Sequence, residues 1–159
     1  MVIIYLYAFD LGMSSPGMTI FDLKTHEPIM ITSIKTNDKE THGQRLFAIK
    51  MHFAKSIKKY PPSEIAIERG FSQHNTSTQV TFRVHGVVNE MFKSIPQFYY
   101  PPTTVKKSIL TGNATKEAIR KEIEKKYPDI KFKNEDESDS FAVGLCHLIK
   151  KHEMKWEKV

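Results

Sequence analysis

The chain begins with a run of apolar residues that ends in a carboxylate, and this run constrains the fold more than any other stretch. Residues 2–9 read VIIYLYAF, and Asp10 follows them directly. A continuous run of β-branched and aromatic residues is typical of a central strand that is buried on both faces. A carboxylate at the end of such a strand is costly unless a cation or a hydrogen bond compensates its charge. Asp10 is therefore a candidate functional residue.

A second short apolar segment ends in the same way. Residues 64–68 read EIAIE, Glu68 closes the segment, and Gly70 follows two residues later. In a sheet flanked by helices, ligands and catalytic groups collect beyond the carboxyl ends of the strands. If the two strands are neighbours, Asp10 and Glu68 lie close together, and their charges repel each other unless a divalent cation lies between them.

The other segments predict two more strands and then an alternation of helices and strands. Residues 18–22 and 28–35 are expected to be strands joined by a polar turn, so the sheet opens with three antiparallel strands. The remaining predicted elements are helices over 43–60, about 75–92, 115–126 and from about 136 onwards, and a short strand at 98–100. This order predicts an α/β fold with a mixed sheet, in which helical crossovers follow the antiparallel strands.

An acidic cluster precedes the final predicted helix. Residues 134–139 read NEDESD, and Asp136 and Asp139 are three residues apart, so both can face the same way at the start of a helix. With Asp10 and Glu68 they form a predicted site of four carboxylates. Ligation by oxygen alone suits Mg²⁺ or Mn²⁺. Two such ions can hold the attacking and leaving oxygens of a displacement at phosphorus, so the sequence indicates phosphodiester hydrolysis.

Each of these acids also has a purely structural interpretation. Asp10 and Glu68 could accept hydrogen bonds from loop amides, since buried acids are usually satisfied locally. The acidic cluster, in which Glu135 and Glu137 are additional candidates, could be a solvated helix cap. The combination favours the site, because two apolar strands end in acids and an acidic pair opens a helix on a basic chain.

Length, charge and cysteine content limit the class of protein. The 159 residues are expected to form one domain, with residues from about 150 to 159 as a basic helical extension or tail. The 24 Lys and Arg against 18 Asp and Glu give a net charge of +6, which suits nucleic acid. The single cysteine, Cys146, excludes an internal disulfide and a cysteine-based zinc cluster. The apolar start is too short for a membrane span and lacks the features of a signal peptide, so we expect a cytoplasmic protein with no membrane partner.

Three blocks of the sequence resemble the RuvC family of Holliday-junction resolvases, whose fold is ribonuclease H-like. The first is AFDLGMSSPG, an apolar strand that ends in Asp10 and continues into a glycine-containing turn. The second is IAIERGFSQHNTSTQVTFRVHGV, in which the strand ends in Glu68. The third is DESDSFAVGLCH, which contains Asp136 and Asp139 and closes on a histidine. All three blocks occur in the family's order and spacing, and the likeness spans about residues 2–150.

This resemblance implies a function and a role for each residue. The implied activity is Mg²⁺-dependent cleavage of Holliday junctions or other branched DNA by a homodimer with two ions per active site, and Mn²⁺ would substitute for Mg²⁺. The implied metal ligands and catalytic carboxylates are Asp10, Glu68, Asp136 and Asp139. Lys116 is implied as a further catalytic residue. The implied DNA-binding residues are Arg69, Phe71, Lys106, Lys107 and Lys116. The apolar stripe of the predicted helix at about 75–92 is the candidate dimer contact.

Some of these roles have structural alternatives. The segment VKKSILTGNATKEAI resembles the basic segment of the family, with Lys106 or Lys107 in its first lysine position and Lys116 in its second. Lys116 could equally be a surface lysine. Phe71 could stack on an unpaired base or pack in the core beneath its loop. His147 is expected to be a packing residue whose ring nitrogens are satisfied locally.

Three other functions are compatible with parts of the sequence. DLGMSS also resembles the phosphate-contacting opening of sugar-kinase and actin-like ATPases, but those proteins need two lobes and 159 residues supply one. A non-catalytic module could bind branched DNA by charge and shape, and its activity would not depend on the acids. A ribonuclease H-like nuclease could act on RNA or on RNA–DNA hybrids, because the carboxylates recognise only a phosphodiester.

Overall fold

In the computed structural model, the chain folds into a central sheet with helices on both faces. The structure describes residues 2–70 and 76–158. The strands are β1 (Tyr5–Asp10), β2 (Gly17–Asp22), β3 (Pro28–Ser33), β4 (Pro62–Glu68) and β5 (Gln97–Tyr100). The helices are α1 (His42–Ala54), α2 (Thr76–Met91), α3 (Pro102–Ile109), α4 (Lys116–Lys126) and α5 (Glu135–Lys151). The mixed five-stranded sheet with its helical cover confirms the predicted fold class.

β1 lies at the centre of the sheet, in the strand order β3-β2-β1-β4-β5. It pairs with β2 in antiparallel and with β4 in parallel orientation. Successive side chains of a strand point to opposite faces. Leu6 and Ala8 accordingly pack against the layer of α3, α4 and α5, whereas Tyr7 and Phe9 pack against the layer of α1 and α2. All four are fully buried, so the predicted burial of this strand on both faces is confirmed.

The strand begins later than the apolar run predicts. Pairing with β2 and with β4 starts only at Tyr5, and the preceding residues lie outside both ladders. Val2 is 83% exposed and Ile3 is 51% exposed. The apolar run indicates a central strand, but the first residue of that strand depends on how far its two neighbouring strands extend.

α5 packs so closely on the sheet that there is no room for a side chain at Gly144. A Cβ atom added at Gly144 would lie 2.1 Å from a ring carbon of Phe21 on β2, so glycine is required at this contact. Eleven residues of α5 are buried, from its first turn to Leu148. The helix thereby fixes its first turn, which carries the acidic cluster, against the sheet.

The helix predictions need two corrections. The helix predicted over 43–60 ends at Ala54, and turns follow in which the Ile57 amide bonds back to the Ala54 carbonyl over 3.2 Å. α3 has no counterpart in the prediction, which assigns no helix to the basic segment after the paired prolines. Pro102 stands at its first helical position, where proline is well tolerated because the missing amide hydrogen has no partner there.

The chain leaves α5 at Lys151 and continues without helix to residue 158. This tail packs back on the domain: the Trp156 indole donates a hydrogen bond to the Ile109 carbonyl over 3.0 Å, and the Lys126 ammonium lies 3.9 Å from the centre of its ring. Within the described residues, no helix is both long enough and apolar enough to cross a bilayer. Cys146 is buried as a free thiol.

Candidate active site

The first two acids lie at the carboxyl ends of adjacent parallel strands. Phe9 pairs with Ile67 in the β1–β4 register, so Asp10 and Glu68 are the next residues of each strand. Burial raises the pKa of Asp10 well above its usual range, and the charge of Glu68 adds to the effect. Burial also raises the pKa of Glu68, although a hydrogen bond from Asp10 opposes the shift. In the absence of a cation, the pair therefore retains a proton at a pH where exposed carboxyl groups are ionised.

The first turn of α5 brings the other two acids to the same place. The Asn134 side chain caps the helix by accepting a hydrogen bond from the Glu137 amide over 2.9 Å. The negative charges of Asp136 and Asp139 both raise the pKa of Asp10, so all three groups share one electrostatic environment. The helix start also lies against β2, because a Cβ atom at Gly17 would come within 2.2 Å of the Asp136 carbonyl oxygen.

Asp136 and Asp139 differ in their partners. The Ser15 hydroxyl, from the turn after β1, donates a 2.5 Å hydrogen bond to Asp136 Oδ2. Asp139 instead lies opposite Lys116, with 2.9 Å between its Oδ2 and the lysine Nζ. Burial raises the pKa of Asp139, and the hydrogen bond from Lys116 opposes this shift. The four predicted acids thus come together from β1, β4 and α5.

Lys116 is the first residue of α4, which the Thr115 side chain caps. Burial disfavours the charge of its ammonium group, but the hydrogen bond to Asp139 and the charges of Asp139 and Asp10 outweigh this and raise its pKa. The lysine remains protonated at neutral pH. Its positive charge compensates part of the negative charge of the carboxylates.

The two lysines of α3 lie on different sides of that helix. A cleft beside the acids is lined by the charged groups of Glu68, Lys106, Lys116 and Asp139 and by apolar side chains of α3, α4 and α5. Lys107 does not line this cleft; it borders another one, which Trp156 and Lys158 of the tail also line. Of the two candidates for the first position of the basic segment, Lys106 is the one beside the acids.

The other predicted residues lie as follows. Arg69 is exposed directly after Glu68, and its amide donates a hydrogen bond to the Tyr100 carbonyl over 2.8 Å. Phe71 lies outside the described residues.

The two additional acidic candidates of the cluster lie in different surroundings. Glu137 is 2% exposed, and its carboxylate accepts hydrogen bonds from the Ser33 hydroxyl at 2.6 Å and the Lys133 amide at 3.1 Å, so it is a structural residue. Glu135 is exposed at the rim, where its charge acts on Lys116 and Asp139.

The donor set fits a hard divalent cation. The four carboxylates lie at the same edge of the sheet, where their charges act on one another, and oxygen is the ligand type that Mg²⁺ and Mn²⁺ prefer. Burial and mutual repulsion raise the pKa values of Asp10, Glu68 and Asp139, and the positive charge of Lys116 opposes the shift of each. A bound cation would supply the missing positive charge.

Known proteins share both the sequence and the fold. The family model described as "Crossover junction endodeoxyribonuclease RuvC" matches residues 7–147. A protein with that name from Gluconobacter oxydans is 29% identical over 150 residues, which cover 91% of this chain and 89% of the relative. Another with that name, from Ehrlichia canis, is 32% identical over 151 residues, which cover 90% of this chain and 95% of the relative.

Two solved structures have the same fold. T. thermophilus RuvC in complex with Holliday junction substrate superimposes with a TM-score of 0.80 at 16% identity, covering 94% of this chain and 96% of that one. The fowlpox virus Holliday junction resolvase gives a TM-score of 0.53 at 16% identity, with 92% and 99% coverage. Because the family model spans most of the chain, from within β1 into the last turns of α5, the chain belongs to the RuvC family of crossover junction endodeoxyribonucleases.

Proposed function

We propose that the protein is a structure-specific endonuclease that cleaves Holliday junctions, or other branched DNA, by metal-dependent hydrolysis of phosphodiesters. Family membership supports the activity, and a neighbour with the same fold is a complex with Holliday junction substrate. The observation that carries the proposal is the meeting of acids from three distant segments at the carboxyl edge of the sheet, where burial and mutual repulsion raise the pKa of Asp10. Such an arrangement is costly to a fold that makes no use of a cation.

The metal ligands of the proposal are Asp10, Glu68, Asp136 and Asp139, and the ions are Mg²⁺, or Mn²⁺ in its place, with two per active site. Ions of this kind activate a water molecule as the nucleophile and stabilise negative charge on the phosphate. The role of Ser15 is to orient Asp136 through the hydrogen bond to its Oδ2. Lys116, protonated and aimed at the same site, would stabilise the charge that develops on the phosphate oxygens.

Basic side chains around the acids would bind the DNA backbone. Lys106 and Lys116 line the cleft beside the acids, and Arg69 is exposed at the end of β4. Lys107, on the other side of α3, would contact a more distant phosphate. Phe71 would stack on an unpaired base at the branch point. Because these contacts release counterions, we expect the affinity for DNA to fall steeply with salt.

Substitution of the acids tests the proposal. We expect Asp10→Asn, Glu68→Gln, Asp136→Asn and Asp139→Asn each to abolish Mg²⁺-dependent cleavage of a synthetic four-way junction while leaving binding measurable, because the amides keep the shape of the side chains and remove their charge. Asp38→Asn is the matched control, since it changes an exposed acid outside the site and should cleave normally. If two or more of the four variants cleave like the parent protein, the site is wrongly assigned.

The substrate requires a separate experiment. Four-way, three-way, flap and linear duplex DNAs are compared with an RNA–DNA hybrid under single-turnover conditions. We expect the four-way junction to be cleaved fastest and linear duplex to be resistant. Cleavage confined to the hybrid would replace the DNA assignment with a ribonuclease activity.

A further inference from the structure

A second group of metal-ligand side chains lies apart from the four carboxylates. It consists of Glu64 on β4, His147 on α5 and His152, which follows the last residue of α5. Glu64 precedes Glu68 by four residues, or about 13 Å along a strand. His147 follows Asp139 by eight residues, or about 12 Å along a helix. This group, here called the His–Glu cluster, is therefore distinct from the candidate active site.

The three ligand atoms converge on one point. His147 Nε2 lies 2.5 Å from Glu64 Oε2, and His152 Nε2 lies 2.8 Å from the same oxygen. All three atoms lie within 4.8 Å of one another. With metal–ligand bonds of about 2.0–2.2 Å, tetrahedral ligand atoms are about 3.3 Å apart. The cluster reaches that separation when the two nitrogen–oxygen contacts each open by less than about 1 Å and the two nitrogens, at most 4.8 Å apart, close by up to about 1.5 Å.

The His147 ring is held in the orientation that a ligand requires. The side chain is fully buried, and its Nδ1 lies 2.7 Å from the Tyr100 hydroxyl while its Nε2 points to Glu64. The Phe98 ring packs against the imidazole, with 4.9 Å between the ring centres. When Nδ1 donates its hydrogen to the Tyr100 oxygen, Nε2 presents a lone pair. An outer hydrogen bond of this kind typically orients a histidine that binds a metal.

Backbone hydrogen bonds also hold His152 at the end of α5. Its amide donates to the Leu148 carbonyl over 3.0 Å, and the Met154 amide donates to the same oxygen over 3.1 Å. Glu153 between them has φ 55°, in the left-handed region that residues other than glycine rarely adopt. The side chains of Glu64 and His152 are each 24% exposed, so solvent reaches the cluster from one side. Water can therefore supply a fourth ligand.

We propose that Glu64, His147 and His152 bind a Zn²⁺ ion, with water as the fourth ligand, and that this ion links the C-terminal tail to the sheet. Two imidazole nitrogens and one carboxylate are a set that Zn²⁺ accepts and Mg²⁺ does not favour. The three ligands come from β4, from α5 and from the first residue after α5. The ion would act on the stability of the fold and not on the hydrolysis, so the proposal does not depend on the function of the acids.

Zinc titration of metal-free protein tests this proposal. The protein is stripped with a chelator and titrated with Zn²⁺ in a calorimeter with Mg²⁺ in excess, so that the oxygen-only site is held by Mg²⁺. We expect one Zn²⁺ per chain. His152→Gln and Glu64→Gln should each weaken the affinity more than about a hundredfold, since the loss of an outer-shell partner alone costs about 10–100-fold. Tyr100→Phe, which removes only such a partner, should fall in the 10–100-fold range.

His52→Gln is the matched control. His52 also bonds through Nε2, to the Thr32 hydroxyl at 2.8 Å, but it lies outside the cluster, so this variant should bind zinc like the parent protein. Zn²⁺ should also raise the melting temperature of the parent and of His52→Gln but not that of His152→Gln. Equal zinc affinity in the parent and His152→Gln, or no binding by the parent, would overturn the proposal. His152 is partly exposed, so its variant is expected to fold, and melting without metal checks this.

Discussion

At the residue scale, the burial of Asp10 makes the stability of the protein depend on pH. Its pKa in the folded protein lies well above the unfolded value near 4, mainly because of burial and then because of the charge of Glu68. The folded state therefore binds this proton more tightly than the unfolded state. The resulting contribution to stability is fully present below the unfolded pKa and is lost as the pH rises through the folded pKa.

We predict that Asp10→Asn stabilises the protein in the absence of divalent cations. At pH 8 in a chelator, the free energy of unfolding should rise by about 1–3 kcal/mol, the usual range for relieving one uncompensated buried polar group. The gain should shrink towards zero at about pH 3, below the unfolded pKa, where Asp10 is protonated in both states. Urea unfolding at the two pH values measures both effects.

Mg²⁺ provides the control for this prediction. It should stabilise the parent protein more than Asp10→Asn, because the parent has the full set of carboxylates that attract the ion. Asp38→Asn, at an exposed position, should leave the pH dependence of stability unchanged. A variant that is less stable than the parent at pH 8 without metal would show that the Asp10 carboxylate is already compensated within the fold.

The sequence indicates the acids of the candidate site, but not the His–Glu cluster. Asp10 and Glu68 each end an apolar strand, and that local pattern predicts their position at the sheet edge. His152 follows two lysines at a helix end and carries no such pattern. Its approach to Glu64 depends on where α5 ends and how the chain turns there, which are properties of the folded backbone.

At the scale of elements, α3 decides which lysine faces the acids. This helix has only eight residues, and Val105 and Ile109, four residues apart, are its buried positions. Lys106 then borders the cleft that contains Glu68, where its charge lowers the pKa of that acid, whereas Lys107 is exposed on another side. Adjacent residues of a helix point about 100° apart, so two neighbouring lysines cannot serve the same site equally.

We predict that Lys106→Gln slows single-turnover cleavage of a four-way junction at least about tenfold, because it removes a positive charge beside the reacting phosphate. Lys107→Gln is the matched variant of the same residue type on the same helix. It should weaken DNA binding by the loss of one phosphate contact, and the number of counterions released on binding should fall by about one. The cleavage rate of bound DNA should change little. The measurements are cleavage at saturating protein and binding at several salt concentrations. Equal rates for the two variants would show that the orientation of α3 does not control catalysis.

The ends of elements were less predictable than their cores. The apolar run at 2–9 indicates a central strand, but its first residues are exposed because neither neighbouring strand extends that far. Likewise the apolar period of α1 continues through Ile57 although the helix ends at Ala54. The apolar period indicates which side chains become buried. Because residues in turns can be buried as well as residues in helices, the period does not show where a helix ends.

At the scale of the whole molecule, part of the apolar surface that stays exposed lies on the outer layer of α1 and α2. The two helices lie side by side, since Arg83 bonds to the His42 ring over 2.6 Å. Phe47 on α1 is 65% exposed, and Phe82 on α2 is 45% exposed. The apolar stripe of α2 itself packs largely in the core, through residues that include Val84. The candidate dimer contact is therefore better described as a surface formed by both helices.

We predict that Phe47→Glu and Phe82→Glu weaken the homodimer at least about a hundredfold, because each places a charge on apolar surface that the partner would cover. Sedimentation at a range of concentrations measures the dissociation constant. Val2→Glu is the matched control, because Val2 is also apolar and 83% exposed but precedes β1 and belongs to neither helix. A dimer that survives both phenylalanine substitutions, or one that Val2→Glu disrupts, would place the contact elsewhere.

The same variants distinguish cleavage by a single active site from the paired cleavage of two strands by the two sites of a dimer. Each chain carries all four candidate acids of β1, β4 and α5, so we expect a monomeric variant still to hydrolyse a phosphodiester. A junction must be cut on two strands to be resolved, and a monomer must bind twice to do this. We therefore expect Phe47→Glu to accumulate singly nicked junctions that the parent protein shows only transiently, with a first-strand rate within about tenfold of the parent at saturating protein. If the first cut is also lost, the α1–α2 surface contributes to binding or assembling the substrate and not only to pairing the two sites.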